Sequence, residues 1–152
     1  MMSLYDKMLN IANKDQEAMF KLAIDKTKKE LAGLNKEQMC IVYSSYLYNN
    51  LRDLSVLSYI VETTDLGFNY LHRFILVPDT NTSTYLLDLT YKQFVKDEDK
   101  VLEKLVNDGY QKIDNDTYNY YLNKVTREKR NDITLENSIF SASESFETRL
   151  GK

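Results

Sequence analysis

One cysteine, Cys40, one histidine, His72, and an aspartate, Asp88, follow one another through the middle of this 152-residue chain. A thiol, an imidazole and a carboxylate are the groups of a thiol-based catalytic triad. The thiolate attacks a carbonyl, the imidazole moves the proton, and the carboxylate orients the imidazole. With one Cys and one His there is no second choice for the first two members. Thirteen aspartates compete for the third, so the assignment depends on which elements carry these residues.

Cys40 falls on an expected helix over residues 37–53, where Cys40, Tyr43, Leu47, Leu51 and Leu54 recur at three- and four-residue steps and share an inward face. Two starts are open. A capping box read from Asn35-Lys36-Glu37-Gln38 puts Cys40 in the second turn. A start near Gln38 or Met39 puts it in the first turn, where backbone N–H groups and the helix dipole stabilise a thiolate. The chemistry needs the second. An oxyanion would find its first donor in the Cys40 backbone N–H, and Gln38 is either a second donor or a capping residue.

His72 and Asp88 fall on two expected strands, residues 70–77 and 84–91, separated by the turn formers Pro78-Asp79-Thr80-Asn81-Thr82-Ser83. Pairing Pro78 with Thr82 around a three-residue loop would set His72 and Asp88 directly opposite, with Cβ atoms about 5 Å apart. Both strands are apolar on both faces, which implies a sheet covered on each side. A carboxylate inside such a sheet needs a partner, and His72 supplies one. The pair could be catalytic or purely structural, and Cys40 could equally be a small buried apolar residue.

The remaining elements frame these segments. Ser3 can cap a first helix to about residue 13, and Asp15 opens a second that Gly33 stops. Residues 56–62 read as a strand or a helical continuation. Residues 95–107 read as an amphipathic helix ended by Gly109, and residues 116–125 as a further helix or strand. The result is an α+β class: N-terminal helices, a small antiparallel sheet carrying the His and Asp, then C-terminal helices. A single domain is expected, divided into a helical N-terminal region (1–34), a catalytic-type core (35–126) and a loosely packed C-terminal extension (127–152).

Composition narrows the partners. A net charge of −3 and the lack of an unbroken basic run argue against nucleic acid. No apolar run approaches a membrane span, and residues 1–10 do not read as a cleaved secretory signal. A cytoplasmic protein is expected, or one exported without a cleaved signal. No Cys/His cluster suggests a metal site.

Cysteine on a helix, then histidine and aspartate on successive strands, is the linear order of the papain/transglutaminase-like superfamily, and the chain resembles its bacterial effector-type members. The resemblance is carried by His72-Arg73-Phe74-Ile75-Leu76-Val77. It is carried also by Tyr85-Leu86-Leu87-Asp88-Leu89-Thr90-Tyr91-Lys92-Gln93-Phe94, which is similar to a D-x-T-x-x-Q-F phrase closing an aspartate strand. The 16-residue interval from His72 to Asp88 and the stretch Val106-Asn107-Asp108-Gly109-Tyr110 extend it over about residues 36–112. The chain departs in a short Cys-to-His interval, in Ile41 where an aromatic is common, and in Leu89 where proline is frequent. The resemblance implies a papain/transglutaminase-like core and a metal-free, cofactor-free Cys-His-Asp triad, with Cys40 as nucleophile, His72 as general base and acid, and Asp88 as the orienting group. It implies amide chemistry on a protein substrate; because so small a chain has little room for extended peptide subsites, glutamine deamidation is placed slightly ahead of peptide hydrolysis, with transglutamination third. The competing expectation is a non-catalytic interaction or regulatory protein with a structural His–Asp pair and a buried Cys.

Overall fold

A computed structural model describes residues 3–34, 39–65, 70–79, 83–95, 98–125, 134–140 and 142. The chain runs α1 (Leu4–Glu30), α2 (Cys40–Asp53), β1 (Tyr59–Asp65), β2 (Tyr70–Pro78), β3 (Thr84–Leu87), a 3₁₀ turn (Tyr91–Phe94), α3 (Glu103–Asp108), β4 (Tyr110–Ile113) and α4 (Asn115–Val125). The four strands form one antiparallel sheet in sequence order. With helices before and after it, the class is α+β.

Successive residues of a strand point to opposite faces, and both faces here are covered. Ile75 and Val77 of β2, with Tyr85 and Leu87 of β3, pack against Phe20, Ala23 and Ile24 of α1 and Tyr43, Leu47 and Leu51 of α2. Phe74, Leu76 and Leu86 face the other way, onto Tyr118, Tyr121, Leu122 and Val125 of α4 and Leu105 of α3. This explains the unbroken apolar runs of the two central strands. A buried Asn50 ties the first two helices together, its Nδ2 donating to Thr27 Oγ1 at 2.9 Å and Glu30 Oε1 at 2.8 Å.

Several expectations change. The two expected N-terminal helices are one, Leu4–Glu30; residues 13–15 contain no glycine or proline to stop it, and a potential capping side chain is tolerated inside a helix. The expected helix over 95–107 shortens to Glu103–Asp108. Asp99 explains the late start: its Oδ1 accepts the backbone N–H groups of Val101 and Leu102, both at 3.1 Å, and its Oδ2 accepts Tyr91 O–H at 2.6 Å. Those bonds fold residues 99–102 into a turn first. Residues 56–62 resolve into strand β1, which begins at Tyr59, and residues 116–125 lie in helix α4. Strand β4 is not anticipated at all; it is four residues long, buried at both ends with its two middle residues more exposed. The C-terminal stretch is not uniformly loose. Residues 135–140 are helical, Leu135 is buried, Tyr118 O–H donates to Ser138 Oγ at 2.8 Å, and Leu135 N–H donates to Asn115 Oδ1 at 2.8 Å.

Candidate active site

The hairpin register differs from the expected one by two residues. Pro78 pairs with Thr84, not Thr82, and the β2–β3 ladder ends at Ile75 and Leu87. His72 therefore lies beyond the ladder, paired with Thr63 of β1 on its other side, and Asp88 lies just past the end of β3. A two-residue shift preserves the face, so the two side chains still meet. His72 Nε2 stands 2.8 Å from Asp88 Oδ2.

Asp88 itself ends the strand. Its Oδ1 accepts the Thr90 backbone N–H at 2.9 Å and Thr90 Oγ1–H at 3.0 Å, an Asx turn that rolls the chain out of the sheet. Its own N–H still donates to Gly109 O at 3.1 Å, so the carboxylate is anchored at the rim rather than on a loose loop. Because β3 stops, β2 has no strand beside it at Arg73, and the N-terminus of α2 comes in there. Cys40 is the first residue of that helix. The later of the two starts is the observed one, with Met39 at the cap position and no side-chain cap.

Cys40 thus sits where backbone N–H groups lack intrahelical acceptors. The His72 ring and the Arg73 backbone N–H both lie close enough to its sulfur to favour the thiolate. His72 Nε2 is occupied by Asp88 and Nδ1 makes no hydrogen bond, so Nδ1 is the ring atom open to proton exchange with the thiol. Burial alone would raise the Cys40 pKa, but His72 and Arg73 outweigh it and hold the thiol below its ordinary value. Burial would likewise lower that of His72, yet the charge and hydrogen bond of Asp88, helped by Cys40, raise it to about 9. Asp88 is held below the usual carboxylate range: burial opposes this, and the His72 charge and hydrogen bond, with donors from Tyr121 and Thr90, prevail. All three shifts favour the charged form of the group concerned.

The imidazole is 0% exposed and fixed by aromatic rings. Phe94 meets it edge-on with centroids 4.8 Å apart, and Phe74 lies nearly parallel at 6.0 Å. Cys40 is 6% exposed, beside a residual cavity of about 10 Å³ whose walls include Ser44, Arg73, Leu87 and Thr90. A void of that size holds no more than about one water.

The structure therefore brings together Cys40, His72 and Asp88. Gln38, the expected second oxyanion donor, lies outside the described residues. The fourth polar group in the cluster is unexpected: Tyr121 of α4, whose O–H donates to Asp88 Oδ2 at 2.6 Å and whose oxygen lies 2.9 Å from His72 Nε2. The sequence contains a signal for it. Tyr118, Tyr121, Leu122 and Val125 have the spacing of a buried helix face, and a buried tyrosine hydroxyl needs a polar partner.

Among the described residues no helix is long and apolar enough to cross a membrane. Comparison with known proteins gives no identification: no family model, curated protein or solved structure matches the chain.

Proposed function

We propose that this protein is a cysteine-dependent amide hydrolase acting on protein substrates through Cys40, His72 and Asp88. The observation that carries this reading is the meeting of the chain's one thiol and one imidazole at a helix N-terminus, with a fully bonded carboxylate behind the imidazole. Thiol and imidazole groups that shift each other towards their charged forms concentrate at functional sites. The papain/transglutaminase-like resemblance adds the same chemistry from the linear order of the residues.

In this reading the Cys40 thiolate attacks an amide carbonyl, and the oxyanion forms near the Cys40 N–H. His72 gives its Nδ1 proton to the departing nitrogen, leaving a thioester on Cys40. Neutral His72 then takes a proton from water as the water attacks the thioester, and keeps it as the carboxylic acid leaves and the thiolate is released, which restores the starting pair. Asp88 stays ionised and holds Nε2–H throughout. A chain of 152 residues has little room for extended peptide subsites, so glutamine deamidation ranks slightly ahead of peptide cleavage. The leaving group is then ammonia.

A second reading draws on the same burial: Cys40 and the His72–Asp88 pair are structural parts of an interaction or regulatory protein. Thiol alkylation separates the two. An active-site Cys40 reacts with iodoacetamide below pH 7 in the folded protein, and His72→Ala abolishes that reactivity. A thiol that reacts only after denaturation would sink the hydrolase reading. For the reaction itself, mass spectrometry of candidate substrate proteins distinguishes a glutamine-to-glutamate change from a cut chain, with Cys40→Ala as the control.

A further inference from the structure

We infer that Tyr121 is a positioning residue of this site: its hydroxyl, bonded to both His72 Nε2 and Asp88 Oδ2, pins the imidazole so that Nδ1 faces Cys40. The inference rests on the hydrolase reading for its catalytic meaning and on geometry for its existence.

A carboxylate alone is an incomplete clamp. Phe74 and Phe94 limit the ring from its face and edge, but one Nε2–H to Asp88 contact gives no polar anchor against rotation about that bond, and such a rotation moves Nδ1 relative to the sulfur. Tyr121 supplies a second anchor from a different element. Asp88 comes from the end of β3 and Tyr121 from α4, on the sheet face opposite the one packed by α2. The phenol donates to Asp88 Oδ2 at 2.6 Å and presents its oxygen to Nε2 at 2.9 Å, so one Nε2–H is shared between two acceptors that are bonded to each other. The triangle closes only when the ring plane is right.

Proton inventory makes the arrangement one-directional. The Tyr121 pKa is pushed well above its ordinary value by burial and by the Asp88 charge, so its single proton has one acceptor to go to, Asp88. Its oxygen can then only accept, which requires the proton on Nε2 and leaves Nδ1 as the nitrogen that exchanges a proton with sulfur. Asp88 Oδ1 is already taken by Thr90 twice, so the carboxylate has no alternative use for the phenol's place. The charged and titratable groups facing Asp88 are His72 from β2, Cys40 from α2 and Tyr121 from α4, with Tyr91 of the 3₁₀ turn and its partner Asp99 further out.

Tyr121→Phe removes the hydroxyl and keeps the ring packing. Its alkylation by iodoacetamide, followed from pH 4 to 9, should slow by about tenfold at pH 6, the rate equivalent of one lost hydrogen bond. The acid limb should move up by about 0.7 pH unit, because Asp88 loses a donor to its charged form. A variant with the wild-type rate and acid limb overturns the inference, since a packing role would leave both in place. The single histidine gives a second readout independent of thiol chemistry. In ¹⁵N-histidine-labelled wild type the Nε2–H proton should exchange slowly and show a nuclear Overhauser contact to the Tyr121 ring. Absence of that contact overturns the inference even where Tyr121→Phe fails to fold. If the native wild-type thiol is inert, the hydrolase reading fails, and the resonance arm alone decides the placement of His72 by Tyr121.

Discussion

Replacing Cys40 by alanine should change how stability depends on pH, and the change tests whether Cys40 and His72 form an ion pair. Burial works against a charge on His72, but Asp88 overcomes it and the pKa rises from the ordinary 6.5 to about 9. A group raised on folding stabilises fully below its unfolded pKa and loses that contribution as pH climbs through the folded value. Taken alone, His72 would cost the protein stability between about pH 6.5 and 9. At about 1.36 kcal/mol per pH unit the loss comes to about 3 kcal/mol.

Cys40 works in the opposite sense. Its folded pKa is lowered from the ordinary 9.0, so its contribution is present above the unfolded value and fades as pH falls through the folded one. A thiolate–imidazolium pair binds one proton. The unfolded chain between pH 6.5 and 9 also binds one at these two residues, on sulfur. Equal proton counts mean no slope, so wild-type stability should stay level across this window. In Cys40→Ala only the histidine side survives, and stability should decline by about 2–3 kcal/mol from pH 6.5 to 9; part of the His72 shift belongs to Cys40 and goes with it. Urea unfolding of both proteins at half-unit pH steps measures this, and the difference between them removes every other titrating group. A wild type that declines like the variant means the thiol stays protonated. Two level curves mean His72 is not held cationic.

Two further substitutions probe the supports of the site. Asp88→Ala leaves His72 and the Tyr121 hydroxyl buried without their acceptor. Breaking one side of a buried pair costs about 3–5 kcal/mol, and urea unfolding at pH 6 should show the greater part of that loss, with less as pH rises through about 9, where wild-type His72 loses its proton. Gly109→Ala tests the turn that carries the acceptor of the Asp88 N–H. Gly109 has φ +86°, and an added Cβ would stand 2.6 Å from Leu89 Cδ2. Left-handed backbone and crowding together should lower stability by about 1–3 kcal/mol, read as a drop in thermal midpoint.

The parts of this architecture legible in the sequence are those where one strong local pattern acts without competition. The 70–77 and 84–91 segments read as strands because each is apolar on both parities, and both faces prove to be covered. The α2 stripe reads correctly for the same reason, with Tyr43, Leu47 and Leu51 all buried. Boundaries fail where a side chain decides them through tertiary contacts. The 84–91 run ends four residues early because Asp88 bonds Thr90, a local choice that periodicity does not register. The helix expected from residue 95 waits for Asp99 to find Tyr91 and Tyr120. The start of α2 is ambiguous because Met39 offers no capping oxygen. Tyr121 is one tyrosine among twelve, and only its helical spacing separates it from the others.

The early end of β3 is also what lets Cys40 approach β2. A β3 continuing through Asp88 to Tyr91 would cover the Arg73 N–H with a strand partner and place Asp88 directly in the ladder. Cys40 would then have no edge to approach. Instead the carboxylate that terminates the strand is the one that holds the histidine, and the N–H freed on β2 is the one that reaches the sulfur. One residue, Asp88, thus sets both the shape of the gap and the charge within it. The consequence is a coupling that a merely structural pair would lack: loosening the Asx turn should disturb the thiol, which Asp88 does not touch through any hydrogen bond of its own. Stability effects at Asp88 and reactivity effects at Cys40 should therefore move together, and they would be independent if the His72–Asp88 pair served packing alone.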